Sequence, residues 1–158
     1  IALHAAGFTN AVATLGTAIT PDHARIFAKY TKKVIISYDA DEAGQNAANK
    51  AMRILGEVGM EVRVLKTKDA KDPDEFIRKF GQAAFRKLLD ESKTGFEYKT
   101  ERILSRYDLT SGSDRIRATG EVCEVIAEYP SPVEREVYLQ RASVQLGLPV
   151  EVLRNSAD

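Results

Sequence analysis

The sequence has few of the features that mark secreted, membrane-spanning or broadly nucleic-acid-binding proteins. A single cysteine, Cys123, excludes a disulfide within the chain, and its apolar helical setting predicts a small buried side chain. No apolar run approaches the roughly 18 residues that span a bilayer and no signal peptide is visible, so we expect a cytoplasmic protein without a membrane segment. The 23 basic residues balance 23 acidic ones, which gives the chain no general attraction to nucleic acid.

The apolar segments of residues 11–65 predict an α/β fold. Short strands are expected at residues 11–13, 34–36 and 61–65, and helices are expected between them. Strands that alternate with helices form parallel sheets with right-handed crossovers, so a doubly wound parallel sheet is expected. The helix that follows residues 34–36 carries an apolar stripe, formed by Ala47, Ala51, Ile54, Leu55 and Val58.

Two aspartates follow the second predicted strand. Asp39 and Asp41 are two residues apart, so an extended backbone places both side chains on one face. Carboxylates at this end of a parallel strand lie where open α/β sheets bind ligands, and they repel each other unless a cation lies between them. The pattern favours a Mg²⁺ or Mn²⁺ site. The alternative is an acidic helix N-terminus with Asp as its N-cap.

Gly44 lies in the first turn of the helix after these aspartates, where glycine lowers helix stability. Its presence indicates that either the backbone or a ligand approaches closely, or that packing leaves no room for a side chain.

A second acidic pair, Asp72 and Asp74, follows the third predicted strand, and Asp72 can cap a helix that begins at Pro73. In a parallel sheet both acidic pairs lie at the same edge. Two converging pairs could hold two divalent cations, as nucleotidyl transfer requires. The lysines of the preceding loop either contact phosphates or neutralise the aspartates; they are Lys66, Lys68 and Lys71.

Two other segments near the N-terminus carry weaker signals. Residues 14–18 (Thr-Leu-Gly-Thr-Ala) either bring backbone N–H groups to a phosphate or form a tight turn. Arg25, Lys29, Lys32 and Lys33 form a modest basic rim, and the simplest interpretation of this rim is a solvated face.

Residues after about 76 show helical periodicity only. Ser131 begins a capping box with Pro132 as the first helical residue, and Gly147 ends the helix that follows. No His, Cys or acidic motif clusters there, so packing or partner contact is the expected role of this part.

The motif Asp-Ala-Asp-Glu-Ala-Gly at residues 39–44 resembles the DxD motif of the Toprim fold, which primases, topoisomerases and some nucleases share. Taken with residues 11–18 and with Asp72-Pro73-Asp74, it resembles the bacterial replicative DNA primases of the DnaG type. The likeness covers nearly the whole chain.

The resemblance implies a Toprim-like (Rossmann-like) parallel sheet with flanking helices, followed by an all-helical subdomain. The expected domains are a partial Toprim domain over residues 1–93 and a helical subdomain of the polymerase core over residues 94–158. The family makes RNA primers on single-stranded DNA from ribonucleoside triphosphates with divalent cations. By this resemblance Asp39 and Asp41 are catalytic metal ligands, and Asp72 and Asp74 are further ligands of Mg²⁺ or Mn²⁺.

One departure from the family pattern limits these expectations. Family members carry a Glu-Gly-x-x-Asp motif on a strand before the position of Ile1, and this sequence lacks that motif. We therefore expect a fragment without the first sheet strand that makes no primers alone and self-associates through an exposed sheet edge. The family's zinc-binding, basic N-terminal and C-terminal helicase-binding domains are not recognisable, so contact with the replicative helicase is expected to need an absent domain.

Three other function classes remain open. Another Toprim nuclease or topoisomerase would need a catalytic tyrosine or a further nuclease motif, and neither is clear. A phospho-acceptor or phosphatase domain would use Asp39 as nucleophile and would pair it with a lysine near a later strand. The last alternative is a non-catalytic interaction module.

Overall fold

A computed structural model of the protein describes residues 1–14, 18–39 and 41–157. These residues form two compact units, residues 1–95 and the residues from 96 onward. The elements of the first unit are α1 (Ala2–Ala5), α2 (Pro21–Ala28), β1 (Lys33–Ser37), α3 (Glu42–Glu57), β2 (Glu61–Leu65), α4 (Pro73–Asp90) and β3 (Lys93–Thr94). The remaining elements are α5 (Gly95–Leu104), α6 (Gly112–Ala127), α7 (Pro132–Leu146) and α8 (Val150–Ala157). The predicted boundary at 93/94 stays a prediction.

The sheet of the first unit is built on two parallel strands. Strands β1 and β2 pair in parallel, with Lys33 opposite Glu61 and Ser37 opposite Leu65, as the sequence predicts. The α/β class with flanking helices is therefore confirmed. Because helix α3 connects the two strands, their C-terminal ends meet at one edge of the sheet.

Two details of the predicted sheet are wrong. Residues 11–13 form no strand: they are not in regular structure, and Val12 is 77% exposed. A run of three apolar residues is too short to identify a strand without a partner. The sheet is also mixed, because β3 pairs antiparallel with β2. Strand β3 has two residues, and the Arg63 side chain fixes it by donating to the backbone oxygen of Ser92 (Nε to O, 3.0 Å).

Helix α3 packs its predicted apolar stripe against this sheet. Ala51, Ile54 and Leu55 are buried, and Ala47 and Val58 are half-buried. The buried face also includes Ala48 and Met52, which widens the stripe beyond the sequence expectation. A second cluster in this unit contains Phe8, Leu65, Phe76 and Phe85, and the rings of Phe8 and Phe85 meet edge to face with centroids 5.0 Å apart.

Two glycines end or interrupt helices, and the stop at Gly147 is the one that the sequence predicts. Gly81 has φ 84° and ψ 173°, so α4 consists of two helical segments separated at that residue. Gly147 adopts a left-handed conformation (φ 64°) directly after α7, and the first residue of that helix is Pro132.

The second unit is all-helical, as the sequence predicts. Its core is formed by α5 to α8 and contains Phe96, Ile103, Ala118, Val122, Cys123, Ile126, Leu139, Ala142, Leu146 and Leu153. Cys123 is buried as expected, and burial raises the pKa of its thiol. No helix in the described part of the chain is long and apolar enough to cross a membrane.

Candidate metal site at the carboxyl edge of the sheet

Asp41 connects the parallel sheet to helix α3. It is the N-cap of that helix, and its Oδ1 accepts a hydrogen bond from the backbone N–H of Gly44 at 2.7 Å. The alternative interpretation, an aspartate cap, is therefore correct for one of its oxygens. Within the described ranges the structure gives Oδ2 no hydrogen bond, so the same carboxylate can cap the helix and bind a cation.

Asp39 lies two residues beyond the end of β1 and is exposed. Its carboxylate makes no hydrogen bond or ion pair with the residues that the structure describes. Its backbone, in contrast, lies very close to the first turn of α3: a Cβ added to Gly44 would lie 2.1 Å from the carbonyl oxygen of Asp39. Glycine is therefore required at position 44, because the Asp39 backbone approaches too closely to leave room for a side chain. This contact fixes Asp39 relative to the start of α3.

Asp72 and Asp74 lie at the start of α4. Asp72 is the N-cap, and its Oδ1 accepts from the backbone N–H of Glu75 at 2.8 Å. Asp74 pairs with Arg78, with Oδ2 and Nη2 2.7 Å apart. Both aspartates are half-buried. Asp72 repeats the arrangement of Asp41, with one oxygen used as a helix cap.

The three lysines of the loop before α4 are exposed: Lys66, Lys68 and Lys71. In the described part of the chain none of them forms an ion pair with Asp72 or Asp74, so they do not neutralise the second acidic pair. Residues 15–17 of the predicted phosphate loop, and Ala40 between the two aspartates of the first pair, lie outside the described residues.

A clamp formed by Glu75 and Lys79, which was not predicted from the sequence, holds this loop. Glu75 accepts a hydrogen bond from the backbone N–H of Lys71 (2.8 Å) and pairs with Lys79, whose Nζ lies 2.8 Å from its Oε1. Lys79 also reaches the backbone oxygen of Asp69 at 3.3 Å. Asp69 has a left-handed backbone (φ 62°), which aspartate tolerates better than most residues. The signal that could have identified the clamp is the spacing of four between Glu75 and Lys79.

We expect the Glu75 carboxyl to titrate below the ordinary range of a glutamate. The hydrogen bond from Lys79 is the largest cause of its lowered pKa, followed by the backbone bond from Lys71. Replacing Lys79 with Gln is expected to raise the pKa of Glu75 toward its ordinary value, as measured by NMR titration of the side-chain carboxyl. Lys87→Gln, a charge change later in the same helix, is the control.

The sign of the linked stability change follows from the direction of this shift. A lowered folded-state pKa contributes stability at pH values above the unfolded pKa, and that contribution is lost as the pH falls through the folded value. The difference in stability between wild type and Lys79→Gln should therefore shrink as the solution is acidified. A pKa of Glu75 that is the same in both proteins would contradict the clamp.

The residues of this edge suit a hard divalent cation. Their donors are carboxylate oxygens, which Mg²⁺ and Mn²⁺ prefer, and Asp39 and Asp41 belong to one short segment. Among residues 1–14, 18–39 and 41–157, no group of three or more His, Cys, Asp or Glu side chains could hold a metal ion. Mg²⁺ does not require such a group, because it keeps several waters and is often bound by one or two carboxylates together with substrate phosphates. Convergence of the two acidic pairs on one crevice stays a prediction.

Comparisons with known proteins indicate the family of the chain. Residues 1–77 match the family model described as Toprim-like. A DNA primase of Clostridium acetobutylicum is 40% identical over 148 residues, which are 94% of this chain and 25% of the relative. The chain thus spans about a quarter of the length of this curated relative.

Solved primase structures share the fold. The RNA polymerase domain of Mycobacterium tuberculosis primase DnaG, in complex with double-stranded DNA, aligns with a TM-score of 0.79 and 28% identity over 94% of this chain and 48% of its own. A DnaG primase catalytic domain bound to single-stranded DNA aligns with a TM-score of 0.73 and 29% identity over 93% of this chain and 47% of its own.

The comparisons correct one expectation. Residues 96–151 match the family model described as the DnaB-helicase binding domain of primase, so the statement that no such domain is recognisable is wrong. The segment escaped notice because its helices show ordinary apolar spacing and contain no clustered motif. The alignments with the catalytic domains cover 93% and 94% of the chain, so they include most of these residues as well. The chain therefore belongs to the DnaG-type DNA primases and includes the Toprim region of that family.

Proposed function

We propose that this chain is part of the catalytic core of a bacterial replicative DNA primase, a nucleotidyltransferase that makes RNA primers on single-stranded DNA from ribonucleoside triphosphates. The observation that carries the proposal is the Asp39–Asp41 segment at the carboxyl edge of the parallel sheet, held by the contact between Gly44 and the Asp39 backbone. The DnaG-type relatives support the reaction, and the carboxylates support its dependence on Mg²⁺ or Mn²⁺.

In this proposal the chain's own residues hold the cation and keep its carboxylate ligands in position. Asp39 and Asp41 would be the catalytic metal ligands, and Asp72 and Asp74 would add negative charge to the same sheet edge. The hydrogen bond from Gly44 fixes one oxygen of Asp41 and leaves the other for a cation. A bound cation would lower the pKa of the primer 3′-hydroxyl, orient the triphosphate and stabilise the charge that develops at the phosphates.

The partners that we propose follow from the relatives. Single-stranded DNA is the proposed template, since a similar catalytic domain binds it. The replicative helicase is the proposed protein partner of residues 96–151, since those residues match a helicase-binding family model. Because β1 is an edge strand of the three-stranded sheet, we further propose that the isolated chain self-associates through it.

Cation binding provides the direct test of the site. We expect Asp39→Asn and Asp41→Asn each to weaken Mn²⁺ and Mg²⁺ binding at least tenfold in calorimetric titrations, because each removes a charged ligand. Asn is as good an N-cap as Asp, so Asp41→Asn should keep the fold and cost at most about 1 kcal/mol of stability through the helix dipole. Asp22→Asn, at the start of α2, is the matched control and should leave cation binding unchanged.

Two results would decide against the site. The carboxylates are helix caps alone if cation affinity is the same in all three variants and wild type. Primer synthesis is tested by placing this chain in the matching region of the Clostridium acetobutylicum primase. We expect the chimera to extend primers and Asp39→Asn to abolish that activity, whereas the isolated chain should make none. Full activity of the Asp39→Asn chimera would refute the catalytic role.

A further inference from the structure

A basic and aromatic surface lies at the edge of the sheet opposite the carboxylates. It consists of Lys29, Tyr30, Lys32 and Lys33, between the end of α2 and the start of β1, and we call it the lysine–tyrosine patch. All four side chains are exposed, and Tyr30 is 84% exposed. Since β1 and β2 are parallel, this patch lies at their N-terminal ends and the aspartates follow their C-terminal ends.

The backbone beneath the patch is well ordered by hydrogen bonds. The N–H groups of Tyr30 and Thr31 both donate to the carbonyl of Phe27, at 2.9 and 3.0 Å. The Thr31 hydroxyl donates to the carbonyl of Lys33 at 3.0 Å, and the N–H of Glu61 donates to the carbonyl of Lys32 at 2.8 Å. The patch is therefore a fixed turn that holds its side chains in solvent.

The positive charge of the patch is not compensated within the described part of the chain. Lys29, Lys32 and Lys33 form no ion pair there. The acidic residue opposite Lys33 in the sheet is Glu61, and its carboxylate lies 3.8 Å from the guanidinium of Arg63. A chain with no net charge thus concentrates three unpaired cations within five residues.

We propose that the lysine–tyrosine patch binds single-stranded DNA as a contact separate from the carboxylate edge. Surfaces that hold single strands combine cations that follow the phosphates with an aromatic ring on which a base stacks. Tyr30 provides an exposed ring between lysines, and a site for an acidic peptide would not need one. The inference rests on the proposed function only for the choice of DNA as the strand. Because no carboxylate of the metal edge takes part, binding should not require a divalent cation.

Variants of Tyr30 distinguish base stacking from simple charge attraction. We expect Tyr30→Ala to weaken binding of a fluorescent single-stranded oligonucleotide by about 5- to 150-fold, the usual effect of removing one stacked aromatic. Tyr30→Phe keeps the ring and should bind within about twofold of wild type. Fluorescence anisotropy at low salt, in buffer with EDTA, measures both variants. The exposure of Tyr30 makes loss of folding an implausible cause, and circular dichroism checks it.

The lysines are tested by the salt dependence of binding. A triple variant, Lys29→Gln, Lys32→Gln and Lys33→Gln, should reduce the slope of log affinity against log salt by about 2, since each phosphate contact with a single strand contributes about 0.7. The matched control removes the same charge elsewhere in the first unit, through Lys50→Gln, Arg53→Gln and Lys87→Gln. The control should keep the wild-type slope.

Four outcomes would overturn the proposal. Two concern the wild type: no binding of the single-stranded oligonucleotide, or equal binding of duplex and single strand. The other two concern the variants: equal affinity of Tyr30→Ala and Tyr30→Phe, or equal salt slopes in the two triple variants. Binding that disappears in EDTA would also overturn it. The proposed function fails separately, because Asp39→Asn tests cation binding and should leave EDTA-resistant binding of the oligonucleotide unchanged.

Discussion

Replacing Gly44 with alanine is expected to destabilise the protein by about 3 kcal/mol or more, beyond the usual range for adding one methyl group to a packed site. The new Cβ would lie 2.1 Å from the carbonyl oxygen of Asp39, 2.8 Å from its carbonyl carbon and 3.0 Å from its nitrogen. All three atoms are backbone, so no side-chain rotation relieves the overlap. The segment after β1 must move away from α3, or the first turn of the helix must open.

The same helix provides a control for this change. Gly56 is also in α3, and a Cβ added there would meet nothing within 4 Å. Alanine favours helix over glycine by about 1 kcal/mol, so Gly56→Ala should stabilise the protein slightly. The two substitutions are chemically identical and differ only in their surroundings. Urea unfolding of both variants should therefore give free-energy changes of opposite sign.

Gly44→Ala should also weaken cation binding, even at temperatures where the variant stays folded. Movement of the Asp39 backbone separates its carboxylate from that of Asp41, and Mn²⁺ titration at low temperature should show at least a tenfold loss. Broadening of the amide signals of this segment by Mn²⁺ gives an independent measurement. Wild-type stability together with wild-type cation affinity would show that Asp39 does not press against the helix.

These effects also show which features of the structure could be predicted from the sequence. The β1–α3–β2 unit was predictable because β-branched runs, an Asp cap and an apolar stripe with helical spacing all point to the same structure. For Gly44 the sequence left three reasons open: close approach of a ligand, close approach of the backbone, or packing that leaves no room for a side chain. Choosing the Asp39 backbone among these reasons requires the distance between Gly44 and the residues that follow β1, and the sequence pattern does not give that distance.

Other features depend on pairing between residues distant in the sequence. Strand β3 has two residues, and it is positioned by antiparallel pairing with β2 and by the bond from Arg63 to Ser92, 29 residues away. Residues 11–13 have the composition of a strand but do not pair, since strand formation depends on a partner more than on propensity. The metal assignment came from the spacing of the two acidic pairs and from the motif resemblance, and neither showed that Asp41 and Asp72 would also use one carboxylate oxygen as a helix cap.

In the helical unit, Phe96→Ala is expected to cost about 3–5 kcal/mol, as removal of a buried ring usually does. Phe96 is 1% exposed and stacks on Tyr138, with ring centroids 4.2 Å apart and planes at 14°. Tyr129 meets both rings, at 6.4 Å from Phe96 and 4.7 Å from Tyr138. Loss of the central ring therefore leaves a cavity and removes two aromatic contacts.

Two measurements distinguish loss of the Phe96 ring contacts from a nonspecific loss of stability. Burial, the largest cause, raises the pKa of the Tyr129 hydroxyl far above its ordinary value, and the nearby Tyr138, Glu128 and Glu134 add to the shift. Phe96→Ala should admit water and lower that pKa, as measured by ultraviolet titration. Val144→Ala, at an 84% exposed position of α7, is the control and should change stability by no more than about 0.5 kcal/mol. A Phe96→Ala protein as stable as Val144→Ala, with the Tyr129 pKa unchanged, would mean that these three rings do not form the centre of the helical core.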